Sequence, residues 1–347
     1  MLRILAAGLC ACAAALALTA TPFVARAADR AVVWVRAGER DFERELNREA
    51  ARGLRLAAIS DGLPCTVAAM QTPERASPPA AYRVVPEREL AAALPDLVAE
   101  GFVPTASARM VGTRHQVVFE RTTTTSAAGE WRVIEFEKLE DLDGALATVS
   151  GEGFQVALAV RPPFRSWPGL SEKGLVLAMK RPGAVARQSR VLIGTKRDLK
   201  DVTGALTTAT TEGWTLDGLL TSARDGGRDG RRERVVLMLS RATTAAPGTP
   251  VGIERHTSFG LFGRGTIAGA GVFWNDYLTA WVTNDRRQNW ATPIQLSSLE
   301  ASCIGIEFKL RFDGMNDQAW NIVALLAKPH EPDGYELVVV TEQRSGV

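Results

Sequence analysis

Apolar and polar positions follow one pattern four times between Ala31 and Arg241. Each copy begins with an apolar run, continues with apolar residues at helical spacing, and ends with two further apolar runs. Positions three or four apart share one face of a helix, whereas short apolar runs bounded by turn residues favour strands. The pattern therefore predicts a strand–helix–strand–strand unit in each copy. The helix-spaced positions are Phe42, Leu46 and Ala50; Leu90, Leu94 and Leu97; Leu142, Leu146 and Val149; and Val202, Leu206 and Ala209.

A glycine followed by a large apolar residue closes each predicted helix. Glycine adopts a positive φ at little cost, and the residue after a helix commonly requires one. The large residue that follows should pack back against the end of the helix. The four dipeptides are Gly53-Leu54, Gly101-Phe102, Gly153-Phe154 and Gly213-Trp214.

Comparison of the chain with itself predicts duplicated modules. Aligned on their glycines, the third and fourth copies share Asp-x-x-Gly-Ala-Leu, which begins at Asp141 and at Asp201. Matches at a fixed offset are typical of repeated units. A degenerate fifth module is one alternative for the C-terminal region, because Trp320 and Arg344 flank a final predicted hairpin. The predicted domains are a leader at 1–27, βαββ modules at 28–72, 81–121, 131–181 and 190–241, and a C-terminal domain at 251–347.

The last strands of the third and fourth modules, at 175–179 and 235–239, are apolar on both faces. A sheet with one wet face should alternate apolar and polar residues, so a neighbour must cover the second face. The sheet of the next module is the simplest cover. The predicted fold class is α+β, with tandem βαββ modules whose antiparallel sheets pack between modules, followed by an aromatic-rich, mainly β C-terminal region.

Opposite charges recur near the ends of the modules. An acid precedes each of the last three helix-ending glycines, where it meets the negative end of the helix dipole. An arginine closes the last strand of each of these modules. We expect each acid to form a structural ion pair with that arginine; a ligand-binding charge pair is the alternative. The pairs are Glu100 with Arg121, Glu152 with Arg181, and Glu212 with Arg241.

Three motifs mark the second module: Tyr82-Arg83-Val84-Val85, Glu100-Gly101-Phe102 and Val117-Val118-Phe119-Glu120-Arg121. Together they resemble small bacterial βαββ domains of unknown function, which combine an aromatic strand, a helix ending Glu-Gly-Trp and a hairpin ending in arginine. The resemblance extends over residues 31–241 and is loose in the first module. Its motifs are structural, so it implies a fold and no reaction.

Residues 251–347 are rich in tryptophan. Their residues Phe273, Trp274, Tyr277, Leu278, Trp281 and Val282 fit one face of a helix, which predicts a core-facing helix. The alternative is an aromatic platform for a sugar ring or a peptide. The candidate ligand-binding residues are Trp214, Trp167, Trp274, Tyr277 and Trp281.

The N-terminus has the form of a secretory signal. Met1-Leu2-Arg3 is basic, residues 4–20 are apolar and small, and Ala25-Arg26-Ala27 fits the pattern before a cleavage site. We expect a cleaved signal peptide and a periplasmic or secreted chain, with an uncleaved anchor as the alternative. No later run is long enough to span a bilayer, so we expect no membrane span in the mature chain.

The expected mature chain is formally neutral, because the leader takes Arg3 and Arg26 from a chain of net charge +2. A neutral chain gives no reason to expect a nucleic-acid partner. Two cysteines remain, Cys65 and Cys303, either paired in an oxidising compartment or present as free thiols.

The residues that repeat are structural rather than reactive. The predicted function is therefore an exported, non-catalytic binding or scaffold protein that contacts an envelope or extracellular protein or glycan. The alternative is a carrier that binds an aromatic or sugar-like molecule at a module interface. A hydrolase is the third hypothesis, with Asp276, Asp285, Asp313 and Asp317 as its acids. We predict no cofactor and no metal site, since the three histidines lack ligand spacing.

Overall fold

The computed structural model describes residues 32–344 apart from a set of short segments. The segments outside the description are 38, 62–65, 74–76, 110–114, 123–128, 162–173, 196–197, 223–233, 257–260, 265, 274–275, 283–287, 298–319 and 331–333.

Four strand–helix–strand–strand modules occupy residues 32–242 and confirm the predicted α+β class. Module 1 contains β1 (Val32–Ala37), α1 (Glu39–Ala50), β2 (Arg55–Asp61) and β3 (Thr66–Gln71). Module 2 contains β4 (Ala81–Pro86), α2 (Glu87–Ala99), β5 (Val103–Arg109) and β6 (His115–Arg121). Module 3 contains β7 (Glu130–Phe136), α3 (Leu139–Gly151), β8 (Gln155–Arg161) and β9 (Gly174–Lys180). Module 4 contains β10 (Arg187–Thr195), α4 (Leu199–Thr211), β11 (Thr215–Ser222) and β12 (Arg234–Ala242).

The described part of the C-terminal region consists of strands. They are β13 (Val251–His256), β14 (Leu261–Arg264), β15 (Thr266–Phe273), β16 (Asp276–Val282), β17 (Gln288–Ser297), β18 (Trp320–His330) and β19 (Gly334–Gln343).

The helix predicted from Phe273 to Val282 is wrong, because Phe273 ends β15 and residues Asp276–Val282 form β16. Four successive residues of β16, from Tyr277 to Ala280, are buried. A strand covered on both faces is apolar without alternation, and such a run imitates the stripe of a helix.

The same strand order recurs in six sheets: the third strand lies between the first and the second. We number these sheets 1 to 6; sheets 1 to 4 belong to the modules of the same number. Sheet 5 has the order β13-β16-β15, and sheet 6 has the order β17-β19-β18 with β14 added beside β17. Parallel pairing of β2 with β18, at Ser60 and Leu325, joins sheets 1 and 6 into one seven-stranded sheet.

The second strands of the six sheets form a closed ring. Strand β2 contacts β5, β5 contacts β8, β8 contacts β11, β11 contacts β15, β15 contacts β18, and β18 returns to β2. Small residues permit this approach: the Ser107 hydroxyl donates to the Ala159 carbonyl oxygen at 3.2 Å. A Cβ atom on Gly218 would lie only 2.7 Å from Met238 Cε and 3.7 Å from Ala159 Cβ.

A helix lies between successive sheets at four boundaries, where it shares one buried cluster with its own sheet and the next. Leu46 of α1 clusters with Met70 and Val118, and Leu90 of α2 with Phe119 and Leu177. The α3 and α4 clusters likewise extend into sheets 4 and 5. The prediction that a neighbouring module covers the second face of each sheet is therefore confirmed, although the cover is a helix at these boundaries.

Sheets 5 and 6 pack directly on each other in the part of the chain that the structure describes. Tyr277 of sheet 5 shares a buried cluster with Leu326, Val338 and Val340 of sheet 6. In modules 1 to 4, the helix contacts the first strand of the next sheet. Between sheets 5 and 6, the short strand β14 pairs with β17, the first strand of sheet 6, instead.

The helices end as their sequence predicts. Gly53, Gly101, Gly153 and Gly213 have φ between 87° and 95°. After α2, the Phe102 amide donates to the Leu97 carbonyl oxygen and the Gly101 amide donates to that of Val98. These two bonds satisfy carbonyl groups that the helix leaves free, and they turn the chain into the second strand.

Candidate functional site

Each second strand carries a β-bulge near its start. The bulged residues are Ala57, Thr105, Ala157, Asp217, Ala268 and Val323. A bulge interrupts the ladder and leaves backbone groups that need other partners. The residue just before each bulge lies beside the next sheet, so these groups come to the boundaries between sheets.

At the boundary between sheets 6 and 1, Gln71 supplies the partners. Its side-chain oxygen accepts from the amide of Ile322, the residue before the β18 bulge, at 3.2 Å. Its side-chain nitrogen donates to the Trp320 carbonyl oxygen at 2.7 Å. Arg344 donates to the same carbonyl oxygen and to that of Thr72. Gln71 of module 1 and Arg344, which follows the last strand, therefore connect sheets 1 and 6 by side-chain hydrogen bonds.

At the boundary between sheets 5 and 6, two buried carboxylates supply the partners. The Glu342 carboxylate accepts from the amide of Ile267, the residue before the β15 bulge, at 2.9 Å. The Tyr277 hydroxyl donates to the Glu336 carboxylate at 2.6 Å. Burial, followed by this bond to a carboxylate, raises the pKa of Tyr277. Both bonds are of the charge-assisted kind, which is the stronger class of hydrogen bond.

At the boundary between sheets 1 and 2, a chain of polar groups supplies the partner. The amide of Leu56, which precedes the β2 bulge, donates to the Tyr82 hydroxyl at 2.8 Å. That hydroxyl donates in turn to the Glu120 carboxylate at 2.9 Å, and Arg55 forms an ion pair with the same carboxylate. Burial raises the pKa of Tyr82.

The boundary between sheets 2 and 3 has neither donor nor acceptor at these positions. The residue before the β5 bulge is Pro104, which has no amide hydrogen. The strand registers place Met179 where Gln71, Glu120 and Glu342 stand in their own sheets. At the boundary between sheets 4 and 5, the side chains at the two equivalent positions are also apolar, with Leu216 and Val282 in one cluster.

At the boundary between sheets 3 and 4, the bulged residue is itself ionisable. The Gln155 side-chain nitrogen of β8 donates to the Asp217 carboxylate of β11 at 2.5 Å. Ser240 forms a second hydrogen bond to Asp217 and accepts from Arg187 Nε at 3.0 Å. Burial raises the pKa of Asp217 to about 6, against the opposing effects of both hydrogen bonds and of Arg187.

The acids and arginines expected to pair do not meet through their charged groups. Arg121 donates to the Glu100 carbonyl oxygen at 3.2 Å, while Glu152 pairs with Arg132 at 2.7 Å. Arg241 donates to Gln188, and both Arg181 and Glu212 are exposed. The strand register shows why Arg181 lies apart: Lys180, one residue earlier, occupies the position equivalent to Arg121.

In modules 2 to 4, a cation instead covers the aromatic residue that follows the helix, and Arg121 and Arg241 are two of these cations. The Arg121 guanidinium lies 4.6 Å from the centre of the Phe102 ring, and that of Arg241 lies 4.8 Å from Trp214. Phe154 receives both Arg132, at 4.3 Å, and Lys180, at 5.7 Å. Cation–π contacts of this kind stabilise each helix end, in the region where the helix dipole is negative.

The three candidate ligand-binding aromatics that the structure describes do not share one contact cluster. Trp214 packs against the cluster between sheets 4 and 5, and Arg241 covers its ring. Tyr277 is fully buried with its hydroxyl on Glu336. Trp281 is half-buried on β16, and its indole N–H has no partner among the described residues. Trp167 and Trp274 lie outside the described residues.

Most of the acids proposed for a hydrolase also lie outside the described residues. This holds for Asp285, Asp313 and Asp317, while Asp276 begins β16. Cys65 and Cys303 lie outside them as well. The described residues contain no group of three or more His, Cys, Asp or Glu side chains placed to hold a metal ion. None of the helices in the described part of the chain has both the length and the hydropathy needed to cross a bilayer.

The ring has two distinct ends because neighbouring second strands stand at matching levels. Ser107 and Ala159, each two residues after its bulge, are hydrogen-bonded, and β18 runs parallel to β2. The glycine end carries the starts of the second strands and the ends of the third strands. The hairpin end carries the other ends of both. The ends of all six second strands and the starts of all six third strands therefore lie at the hairpin end. Along the chain these strand ends are joined by residues 62–65, 110–114, 162–173, 223–233, 274–275 and 331–333.

The residues at the sheet boundaries were not anticipated from the sequence. A signal for them exists: Gln71, Glu120, Ser240 and Glu342 are polar residues at one equivalent position near the ends of their third strands, after an apolar run. Recognising it requires the register of the bulged strands. No family model, curated protein or solved structure matches this chain.

Proposed function

We propose that this chain is an exported, non-catalytic binding or scaffold protein whose ring presents its hairpin end to an envelope or extracellular partner. The observation that supports it best is that the ends of all six second strands and the starts of all six third strands lie at one end of a closed ring. Connecting segments on a rigid scaffold are the usual carriers of binding residues, because they vary while the scaffold holds them in place.

The lengths and compositions of these connections also support the hairpin end as the binding surface. The two longest, 162–173 and 223–233, belong to the neighbouring modules 3 and 4. The first contains Trp167 and the second contains several arginines and acids. Aromatic and arginine side chains are enriched where proteins bind one another. The partner that fits this composition is a protein or glycan surface with both apolar and charged groups.

The leader supports the proposed compartment. A basic start, an apolar stretch and Ala25-Arg26-Ala27 have the form of a cleaved secretory signal. Appearance of the chain in a periplasmic or culture fraction with Ala28 as its first residue would support this part of the proposal. Retention of the leader on a membrane-bound chain would contradict it.

Photo-crosslinking from chosen positions tests the binding end. A photoreactive residue placed within 162–173 or 223–233 should capture the same envelope or extracellular partner from intact cells. The matched control carries the photoreactive residue at Ala245, in the exposed linker that follows β12 at the glycine end. Capture from Ala245 but from neither hairpin connection would contradict the proposal, as would turnover of a generic ester, phosphate or glycoside by the purified chain.

The ligand-carrier alternative has no comparable convergence among the described residues. Trp214 already has a guanidinium over its ring, and Tyr277 is buried against Glu336. A change in tryptophan fluorescence on titration with an aromatic or sugar-like compound would favour this alternative over the scaffold.

A further inference from the structure

Asp217 differs from its equivalents in the other five sheets. The bulged residue of the second strand is Ala57, Thr105, Ala157, Ala268 or Val323 elsewhere, and none of these side chains can ionise. In β11 the same position holds a largely buried carboxylate. A group that can change its charge is thus built into the wall of the ring at one boundary, the one between sheets 3 and 4.

The contacts of Asp217 cross that boundary. Gln155 of sheet 3 donates to its carboxylate at 2.5 Å, and Ser240 of sheet 4 supplies a second hydrogen bond. Because Arg187 Nε donates to the Ser240 oxygen, the Ser240 hydroxyl hydrogen is free to point at Asp217. The network runs from Arg187 through Ser240 to Asp217, with Gln155 joining from the neighbouring sheet.

The charge balance around Asp217 is uneven. Arg187 of β10 is the charged group that faces it: its charge lowers the pKa of Asp217, and its Nε donates to Ser240 rather than to the carboxylate. Strand β15, on the other side of β11, contains no charged residue. The charged residues of β8 and β12 are Arg161, at the far end of β8, and Arg234 and Arg241; Arg241 covers Trp214. One guanidinium beyond a hydroxyl group therefore faces a carboxylate that has lost most of its water.

We propose that the Asp217 junction is a pH-sensitive joint between sheets 3 and 4, which is tighter when the carboxyl group is neutral and looser when it is charged. A buried charge is costly unless it is fully paired. The Asp217 carboxylate has two neutral donors, Gln155 and Ser240, and Arg187 donates to Ser240 rather than to the carboxylate, so its charge is only partly compensated. Protonation removes that cost and leaves the carboxyl group able to donate as well as accept.

The direction of the effect on stability follows from the pKa. The pKa of Asp217 is raised from 3.8 in the unfolded chain to about 6 in the folded one. The folded chain therefore binds more protons than the unfolded chain between these values, and stability rises as the pH falls. The contribution is complete below 3.8 and is lost as the pH rises through about 6. From pH 7.5 to pH 5, this group should raise the folding equilibrium constant by about tenfold.

The test compares wild type with Asp217→Asn, which keeps the shape but cannot ionise. Between pH 7.5 and pH 5, chemical unfolding should show a gain in the folding equilibrium constant that is about tenfold larger in wild type than in Asp217→Asn. The matched control is Asp143→Asn, because the exposed Asp143 carboxylate also crosses this boundary, accepting from the Val191 amide at 2.9 Å. The control should keep the wild-type difference between the two pH values.

A direct titration decides the matter even if a variant fails to fold. The carboxyl carbon resonance of Asp217 in wild type should titrate with a midpoint near 6. Gln155→Met, which removes the donor from sheet 3, should move that midpoint to higher pH, because a carboxylate that loses a donor is harder to ionise. A wild-type midpoint in the ordinary range of exposed aspartates would overturn the proposal, as would equal pH dependence in wild type and Asp217→Asn.

Discussion

The residue just before the bulge of the second strand differs between two boundaries. It has a hydrogen-bonded amide at the boundary between sheets 1 and 2, and no amide hydrogen at the boundary between sheets 2 and 3. At the first, the Leu56 amide before the bulge donates to the Tyr82 hydroxyl, which is backed by the Glu120 carboxylate. At the second, the equivalent residue is Pro104, and the acceptor position holds Met179. A buried amide must either find a partner or be absent. Copies of one module can therefore differ strongly in polarity at their boundaries and still form one ring.

Removal of the Glu120 carboxylate should have the largest effect at the polar boundary. Glu120→Ala leaves the Tyr82 hydroxyl and the half-buried Arg55 without their acceptor, and should lower the free energy of unfolding by roughly 3 kcal/mol. Tyr82→Phe, which removes one hydroxyl, should cost about 1–2 kcal/mol. Urea unfolding measures both.

The control for this pair of variants is Glu130→Ala, because Glu130 pairs with Arg132 while remaining 56% exposed. An exposed pair is worth little, so this variant should stay within about 0.5 kcal/mol of wild type. Equal effects of Glu120→Ala and Glu130→Ala would show that the boundary network does not stabilise the ring.

The next largest loss of stability is expected at the boundary between sheets 6 and 1, which closes the ring. Gln71→Ala removes the acceptor of the Ile322 amide and the donor to the Trp320 carbonyl oxygen, both in β18. It should lower the free energy of unfolding by about 2 kcal/mol. Amide exchange at Ile322 should accelerate at the same time, because that amide loses its partner. Gln188→Ala is the control, since Gln188 is an exposed glutamine whose contact with Arg241 stays within sheet 4. Unchanged exchange at Ile322 in Gln71→Ala would contradict the closure.

The apolar boundary can be converted to the polar type. Pro104→Ala restores an amide opposite Met179, where it has no acceptor, and should cost about 1–2 kcal/mol. Adding Met179→Gln should recover part of that loss, although Met179→Gln alone should destabilise by burying an unpaired amide. A double-mutant cycle should therefore give a coupling of about 1 kcal/mol. Strict additivity of the two changes would show that these positions do not face each other.

The smallest effect is expected from an exposed pair that also crosses a boundary. Glu140 of α3 accepts from Arg234 of β12 at 2.8 Å, and this bond lowers the pKa of Glu140. Its contribution is present above the ordinary pKa of a glutamate and is lost as the pH falls through the lowered value. Glu140→Gln should cost no more than about 0.5 kcal/mol at low salt and nothing measurable at high salt. A larger loss of stability, or one that does not depend on salt, would contradict the view that this exposed pair contributes less than the buried networks.

The fold could be predicted from the sequence as far as single modules are concerned. Helix spacing, the closing glycines and the doubly apolar third strands are visible within short stretches of the sequence, and local periodicity records such patterns. The helix expected at 273–282 failed because a strand buried on both faces loses the alternation that distinguishes it.

The ring and the polar boundaries could not be predicted in the same way. Gln71 contacts Trp320 and Ile322 across about 250 positions of the chain. Its role depends on where a bulge falls in another sheet, which no local pattern encodes. The expected Glu–Arg pairs show the related difficulty of register. Arg181 follows the third strand of module 3 in the sequence, whereas Lys180 occupies the position equivalent to Arg121 in the strand.

Spectroscopic proximity between β2 and β18 tests the closed ring most directly. Spin labels at positions 57 and 323, the half-exposed bulge positions of these strands, belong to segments that contact each other only if sheet 6 returns to sheet 1. In a background with Cys65 and Cys303 replaced by serine, the doubly labelled chain should show strong dipolar broadening relative to the sum of the two singly labelled spectra. A doubly labelled spectrum equal to that sum would contradict the closed ring.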